Sequence, residues 1–135
     1  MALSKKEIYR RTNEEFLTEF RKKDGVFELN GGILYQVINS SENKVSPTLN
    51  SIVTVNYTGK LINGKVFDST SERHCPEVFR LRDVIDGWQI ALQKMNLGDR
   101  WIIYIPYEKG YGNKTNGDIP GFSTLIFDVE LLGVM

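Results

Sequence analysis

Apolar and polar residues alternate strictly between Ile52 and Thr58. Val53, Val55 and Tyr57 fall on one side and Ile52, Thr54 and Asn56 on the other. A spacing of two predicts a strand with one dry and one wet face. Asn63-Gly64 follows, a pair that tolerates the positive φ of a tight two-residue turn, so the segment to Thr70 is predicted to fold back as a hairpin. Ahead of it, Ile33-Leu-Tyr-Gln-Val-Ile38 is rich in β-branched and aromatic residues and predicts a further strand, introduced by Gly31-Gly32. Residues 39–51, with Pro47, are polar and predict a loop, as does the long connection over residues 69–80 with His74, Cys75 and Pro76. Trp101-Ile-Ile-Tyr-Ile105 and Thr124 to Leu132 predict two more strands, separated by a Gly-, Asn- and Lys-rich segment over 107–123.

Two segments have a helical period instead. Residues 4 to about 23 open on Ser4-Lys-Lys-Glu7, a capping box whose side chains satisfy orphaned amides at a helix start. Ile8, Tyr9, Phe16, Leu17 and Phe20 follow on one side, with Arg10, Arg11, Asn13, Glu14, Arg21 and Lys22 largely elsewhere. Such a stripe must be covered, by its own domain or by another chain. Asp24-Gly25 is the expected end. The second helical segment places Trp88, Leu92 and Met95 at i, i+4 and i+7, with Gly98 in the position of a C-cap glycine. Mostly strands with one inserted helix predict an α+β fold: a twisted antiparallel sheet of about five strands wrapped around one short α-helix, plus an N-terminal α-helix.

Composition narrows the function. The 135 residues suit one core, divided here into a helical extension over 1–30 and a domain over 31–135. Seventeen basic residues balance seventeen acidic ones and no basic run exceeds three, so the footprint of a nucleic-acid binder is missing. The single cysteine excludes an internal disulfide and a cysteine-based zinc site. His74-Cys75 supplies two adjacent residues where a metal site needs about four ligands, so no metal or other cofactor is expected. No apolar run approaches the roughly 20 residues of a membrane span, and the sequence as written predicts a soluble, cytoplasmic chain. Phosphate-loop and Ser-His motifs are missing too. What recurs is a set of aromatic residues at strand ends and beside the helix, Tyr57, Phe67, Trp88, Tyr111 and Phe127, which predicts a concave apolar site. Singly, Phe67, Trp88 and Phe127 also fit plain core positions, and Asp68 fits a turn residue as well as a site residue.

The hairpin order Tyr57…Gly59…Gly64…Phe67-Asp68-Ser69 resembles that of the FKBP family, the macrolide-binding prolyl isomerases. Val84-Ile-Asp-Gly-Trp88 with Met95-Asn-Leu-Gly98 is similar to its helix motif. Ile105-Pro-Tyr-Glu-Lys-Gly-Tyr111-Gly112 is similar to the signature that follows, and Ile119-Pro120 with Thr124 to Leu131 to its final loop and strand. The resemblance implies peptidyl-prolyl cis/trans isomerase activity on folding or unfolded chains, with macrolides as candidate inhibitors. The alternative is a non-catalytic binding module or chaperone that uses the same groove for proline-containing segments. It implies Trp88 as the floor, Tyr57, Phe67 and Phe127 as walls, and Val84, Ile85, Tyr111 and Ile119 at the mouth. Asp68 would be the acid beside Tyr57, with Arg73 as its ion-pair partner and a substrate-binding candidate. Glu77 and Asp118 depart from the pattern, at positions where apolar residues are common. The N-terminal helix resembles those of macrophage-infectivity-potentiator-like members, which implies a monomer with the helix packed on its own domain or a weak homodimer. Related proteins are often exported, which implies an exported or lipid-anchored chain if a leader has been removed.

Overall fold

A computed structural model describes residues 2–135. In chain order it contains α1 (Lys5–Phe20), β1 (Phe27–Glu28), β2 (Leu34–Asn39), β3 (Ile52–Lys60), β4 (Val66–Ser69), α2 (Thr70–Arg73), β5 (Glu77–Arg80), α3 (Asp86–Leu92), β6 (Arg100–Ile105) and β7 (Leu125–Val134). The strands form one antiparallel sheet in the order β1-β2-β6-β7-β3. The outer edge of β3 is shared: β5 pairs with Ile52–Val55 and β4 with Thr58–Lys60. The sheet has seven strands, not the expected five. The two extra ones are β1, only two residues long, and β5, which lies inside the stretch expected to be a loop. Its breaker residues His74-Cys75-Pro76 end α2, and the chain then resumes an extended course because β3 offers an unpaired edge.

Alternation along each strand sorts the core onto two faces. Ile33, Val53, Val55, Tyr57, Trp101, Ile103, Ile105, Leu125, Phe127, Val129 and Leu131 meet Trp88, Ala91, Leu92 and Met95 on one face, so α3 fills the concave side. Gly87 permits that contact, because a Cβ there would lie 2.6–2.8 Å from three carbon atoms of Ile105. On the opposite face Leu34, Tyr104 and Ile126 meet Leu17, with Phe16 and Phe20 packed beside them. The Phe16, Leu17 and Phe20 part of the α1 stripe thus packs on its own sheet. At about 25 cal/mol per Å2 of apolar surface removed from water, each fully buried Leu or Ile contributes about 1.5–3 kcal/mol. No helix among the described residues is long and apolar enough to cross a membrane.

Several local expectations are corrected. Ser4 caps α1 through a 3.1 Å bond from the Glu7 amide, but the helix ends at Phe20, short of residue 23. Asn13, read as a residue of the wet side, is fully buried, whereas Ile8 is half exposed. The hairpin turn is longer than two residues. Gly64 N–H donates to Leu61 O and Leu61 N–H to Lys65 O, and of Asn63-Gly64 only Gly64 has positive φ, at 89°. This is the three-residue arrangement in which a turn is followed by one left-handed glycine. Gly98 is not the cap of α3, which ends at Leu92 with Gln93 as its cap. Its positive φ of 96° serves the turn into β6, where its N–H donates to Leu131 O.

Candidate active site

Tyr57 projects from the dry face of β3, and the β4 arm of the hairpin brings Phe67 and Asp68 beside it. The turn before α3 adds Val84 and Ile85, and α3 itself adds Trp88. β5 contributes Phe79, β7 contributes Phe127, and the loop between β6 and β7 contributes Tyr111 and Asn116–Ile119. Together they line a cavity of about 360 Å3. Trp88 is 3% exposed, and its ring meets Tyr57, Phe79 and Phe127 at centroid distances of 5.0, 5.6 and 5.2 Å and angles of 83–89°. Phe67 stands edge-on to Phe127 at 5.6 Å and 89°. Edge-to-face contacts of this kind add about 0.5–1.5 kcal/mol each beyond the area they bury. Trp88 Nε1 is buried with no hydrogen-bond partner among the described residues, so the indole is held by its ring contacts and not by its polar atom.

One polar network enters this apolar wall. The Tyr57 hydroxyl donates to Asp68 Oδ2 and Arg73 Nη1 donates to Asp68 Oδ1, while Arg73 Nη2 reaches Glu77 Oε2 at 3.2 Å. The Arg73 guanidinium also lies 5.8 Å from the Tyr57 ring centre. Burial and the bond to Asp68 push the Tyr57 phenol up to about 12. For Asp68, burial favours the neutral acid, but the bonds from Tyr57 and Arg73 and the charge of Arg73 outweigh it and hold the carboxyl below its ordinary value. Burial, and then the Asp68 charge, also raise the Tyr111 phenol. At neutral pH the network is therefore a neutral phenol on an ionised carboxylate.

A family model for the FKBP-type peptidyl-prolyl cis-trans isomerase matches residues 43–132. The chain belongs to that family. The peptidyl-prolyl cis-trans isomerase Mip of Coxiella burnetii is 47% identical over 120 residues, 88% of this chain and 52% of the relative. The FKBP-type 22 kDa peptidyl-prolyl cis-trans isomerase of Escherichia coli is 44% identical over 122 residues, 90% of this chain and 59% of its own length. The chain thus spans a little over half the length of these curated relatives. A crystal structure of a peptidyl-prolyl cis-trans isomerase from Pseudomonas syringae superposes with a TM-score of 0.89 at 36% identity, covering 99% of this chain and 98% of that one.

Nine of the ten residues read from the FKBP resemblance line the one cavity: Tyr57, Phe67, Asp68, Val84, Ile85, Trp88, Tyr111, Ile119 and Phe127. Arg73 does not. It stands behind Asp68, shared with Glu77, and Glu77 in turn pairs with Arg73 and does not line the wall. Asp118 does line it, together with Asn116, Gly117 and Phe79, which the sequence reading did not select. Phe79 left a signal, the alternation of Glu77 and Phe79 against exposed Val78 and Arg80, but four residues beside a proline are a weak one. In this FKBP-type cavity neither histidine nor cysteine contributes to the lining.

The titration behaviour has a testable sign. A carboxyl whose folded pKa is lowered adds stability above its unfolded value, about 3.9, and loses it as pH falls through the lower folded value. The raised Tyr57 phenol adds stability below about 10, lost as pH rises through about 12. Any X-Pro rotation rate should therefore be flat from roughly pH 6 to 9 and decline below the usual carboxylate range. A bell centred near neutral pH, measured by NMR exchange, would show that a titrating group acts in the reaction.

Proposed function

We propose that this chain catalyses cis/trans rotation of X-Pro bonds in unfolded or folding polypeptides, without proton transfer. The observation that carries this reading is the cavity floor: a buried indole boxed by three rings at near right angles, open to one mouth. An X-Pro bond resists rotation by about 20 kcal/mol because the planar amide is stabilised by resonance, which places negative charge on the carbonyl oxygen. Twisting the bond removes that charge separation. An apolar site thus favours the twisted amide over the planar one, and contacts to flanking residues hold the twist. Trp88 would seat the proline ring and Tyr57, Phe67 and Phe127 would wall it. The Ile85 N–H, which makes no backbone hydrogen bond among the described residues, would donate to a peptide carbonyl. Tyr111, 40% exposed at the rim, would donate its hydroxyl to another. Asp68 would fix the Tyr57 ring, and Arg73 would keep that carboxylate ionised. Macrolide inhibitors would occupy the same walls.

The test is protease-coupled or NMR exchange kinetics on a series of X-Pro peptides. Apolar walls and the lining carboxylates Asp68 and Asp118 both disfavour an acidic neighbour. Leu-Pro and Phe-Pro peptides are therefore expected to turn over about tenfold faster than Glu-Pro. Rates equal to the uncatalysed ones for every X would sink the reading.

A further inference from the structure

The N-terminal helix does more than cover apolar surface. Asn13, at its middle, is fully buried, and every polar group on its side chain is engaged. Its Oδ1 accepts from the Thr124 amide at 2.8 Å and its Nδ2 donates to Tyr9 O at 2.8 Å. A buried amide in a helix interior costs stability unless it is paired, and here one partner is the backbone 111 residues away at the end of the β6–β7 loop. One turn earlier, the Tyr9 hydroxyl and Ser123 Oγ are 2.7 Å apart, and Ser123 Oγ donates to Pro120 O at 2.7 Å. A serine hydroxyl has one proton, so with that proton on Pro120 the Tyr9 hydroxyl is the donor to Ser123. The carbonyl so held belongs to the residue after Ile119, which lines the cavity.

The loop is gripped at a third place. Phe122 has a positive φ of 67°, a conformation a bulky side chain adopts only when its surroundings impose it. Its ring packs edge-on to Tyr107 at 5.0 Å, and Arg10 and Lys6 of α1 lie over the same ring at 5.1 and 5.5 Å. Tyr107, near the start of the loop, donates to Glu14 Oε2 at 3.0 Å. Both ends of the loop that carries Tyr111 and Asn116–Ile119 are therefore tied to one face of α1.

We infer that α1 is a positioning element of the proline-binding cavity, in which Tyr9 and Asn13 set the Pro120–Thr124 segment and, through it, the rim formed by Ile119 and Tyr111. The inference rests on the isomerase reading only for its kinetic readout. The test compares Tyr9→Phe, Ser123→Ala and their double variant with the parent chain, each assayed well below its unfolding midpoint. Backbone amide shifts of Tyr111 and Ile119 without peptide, and KM and kcat on a Leu-Pro peptide, are the readouts. Tyr9→Phe deletes one oxygen and should leave the fold intact. It should move both amides and raise KM about fivefold, with kcat changed less than about twofold, as expected for one lost hydrogen bond. The double variant should match Ser123→Ala, because that change already removes the Tyr9–Ser123 bond, together with the one to Pro120 O. Unmoved amide shifts and an unchanged KM beside a lower unfolding midpoint would overturn the inference, since a purely stabilising helix gives that result. A parent chain without isomerase activity would remove the reading of the site but leave the amide shifts to decide the role of α1.

Discussion

Trp88→Ala is expected to destabilise the protein by about 3–5 kcal/mol and to leave it without measurable X-Pro rotation activity. The indole is the meeting point of Tyr57, Phe79 and Phe127, and it joins α3 to β3, β5 and β7 at once. Truncation removes three edge-to-face contacts and leaves a void between rigid rings that close over it poorly, which places the cost at the upper end for large-to-small changes. Taking about 2.1 cal/mol/K per residue for the unfolding entropy, the loss corresponds to a fall in midpoint of roughly 11–18 °C. Trp88→Phe should lose less, because a smaller ring still faces the same edges. Thermal unfolding and exchange kinetics at a temperature where the variant is folded give both numbers. A midpoint within about 3 °C of the parent would mean that Trp88 is not the keystone of this face.

Gly59→Ala, one added carbon, is expected to lower kcat/KM about tenfold and stability by about 1–3 kcal/mol. Gly59 lies in β3 opposite Asp68 of β4 on one side and Phe127 of β7 on the other. A Cβ there would sit 2.7 Å from Phe127 Cε1, 2.7 Å from Phe67 Cζ and 2.8 Å from Phe67 Cε1. Neither ring is a flexible side-chain end that can swing aside. Phe127 is 4% exposed within the core, so the less buried Phe67 must yield, and it yields at the cavity wall. The backbone of Gly59 is not in the left-handed region, so strain in φ plays no part and the effect is steric. Rates and a midpoint indistinguishable from the parent would show that the two rings relax without cost.

Strand β3, at the centre of the fold, was legible because its period-2 pattern is long and one-sided. Val53, Val55 and Tyr57 are buried as their spacing demanded, whereas the stretch 101–105 is apolar at every position and buries Ile103 and Ile105 on one face and Tyr104 on the other. The site residues were legible for a different reason. They sit in four short ordered motifs, each readable in its own few residues, and nine of them reached one cavity. The ion pair with Asp68 that the resemblance implies for Arg73 is present, and the cavity lining does not include the Arg73 guanidinium. Glu77, a departure from the pattern, draws it away.

By itself the sequence determined the inward face of β3, the α+β succession and the family. Those properties are read locally, since alternation, a helix cap and each single motif are complete within roughly ten residues of chain. The tertiary structure alone decided what depends on a distant partner. β5 became a strand because β3 had a free edge, Phe79 joined the floor through that pairing, and Gly98 served β6 where a helix cap was expected. Asn13 is the sharpest case. A polar residue between charged neighbours reads as solvent-facing until the Thr124 amide, from the far end of the chain, gives its buried side chain a partner. Burial of a polar group is favourable only when its hydrogen bonds are made, and whether they are made is a property of the folded arrangement.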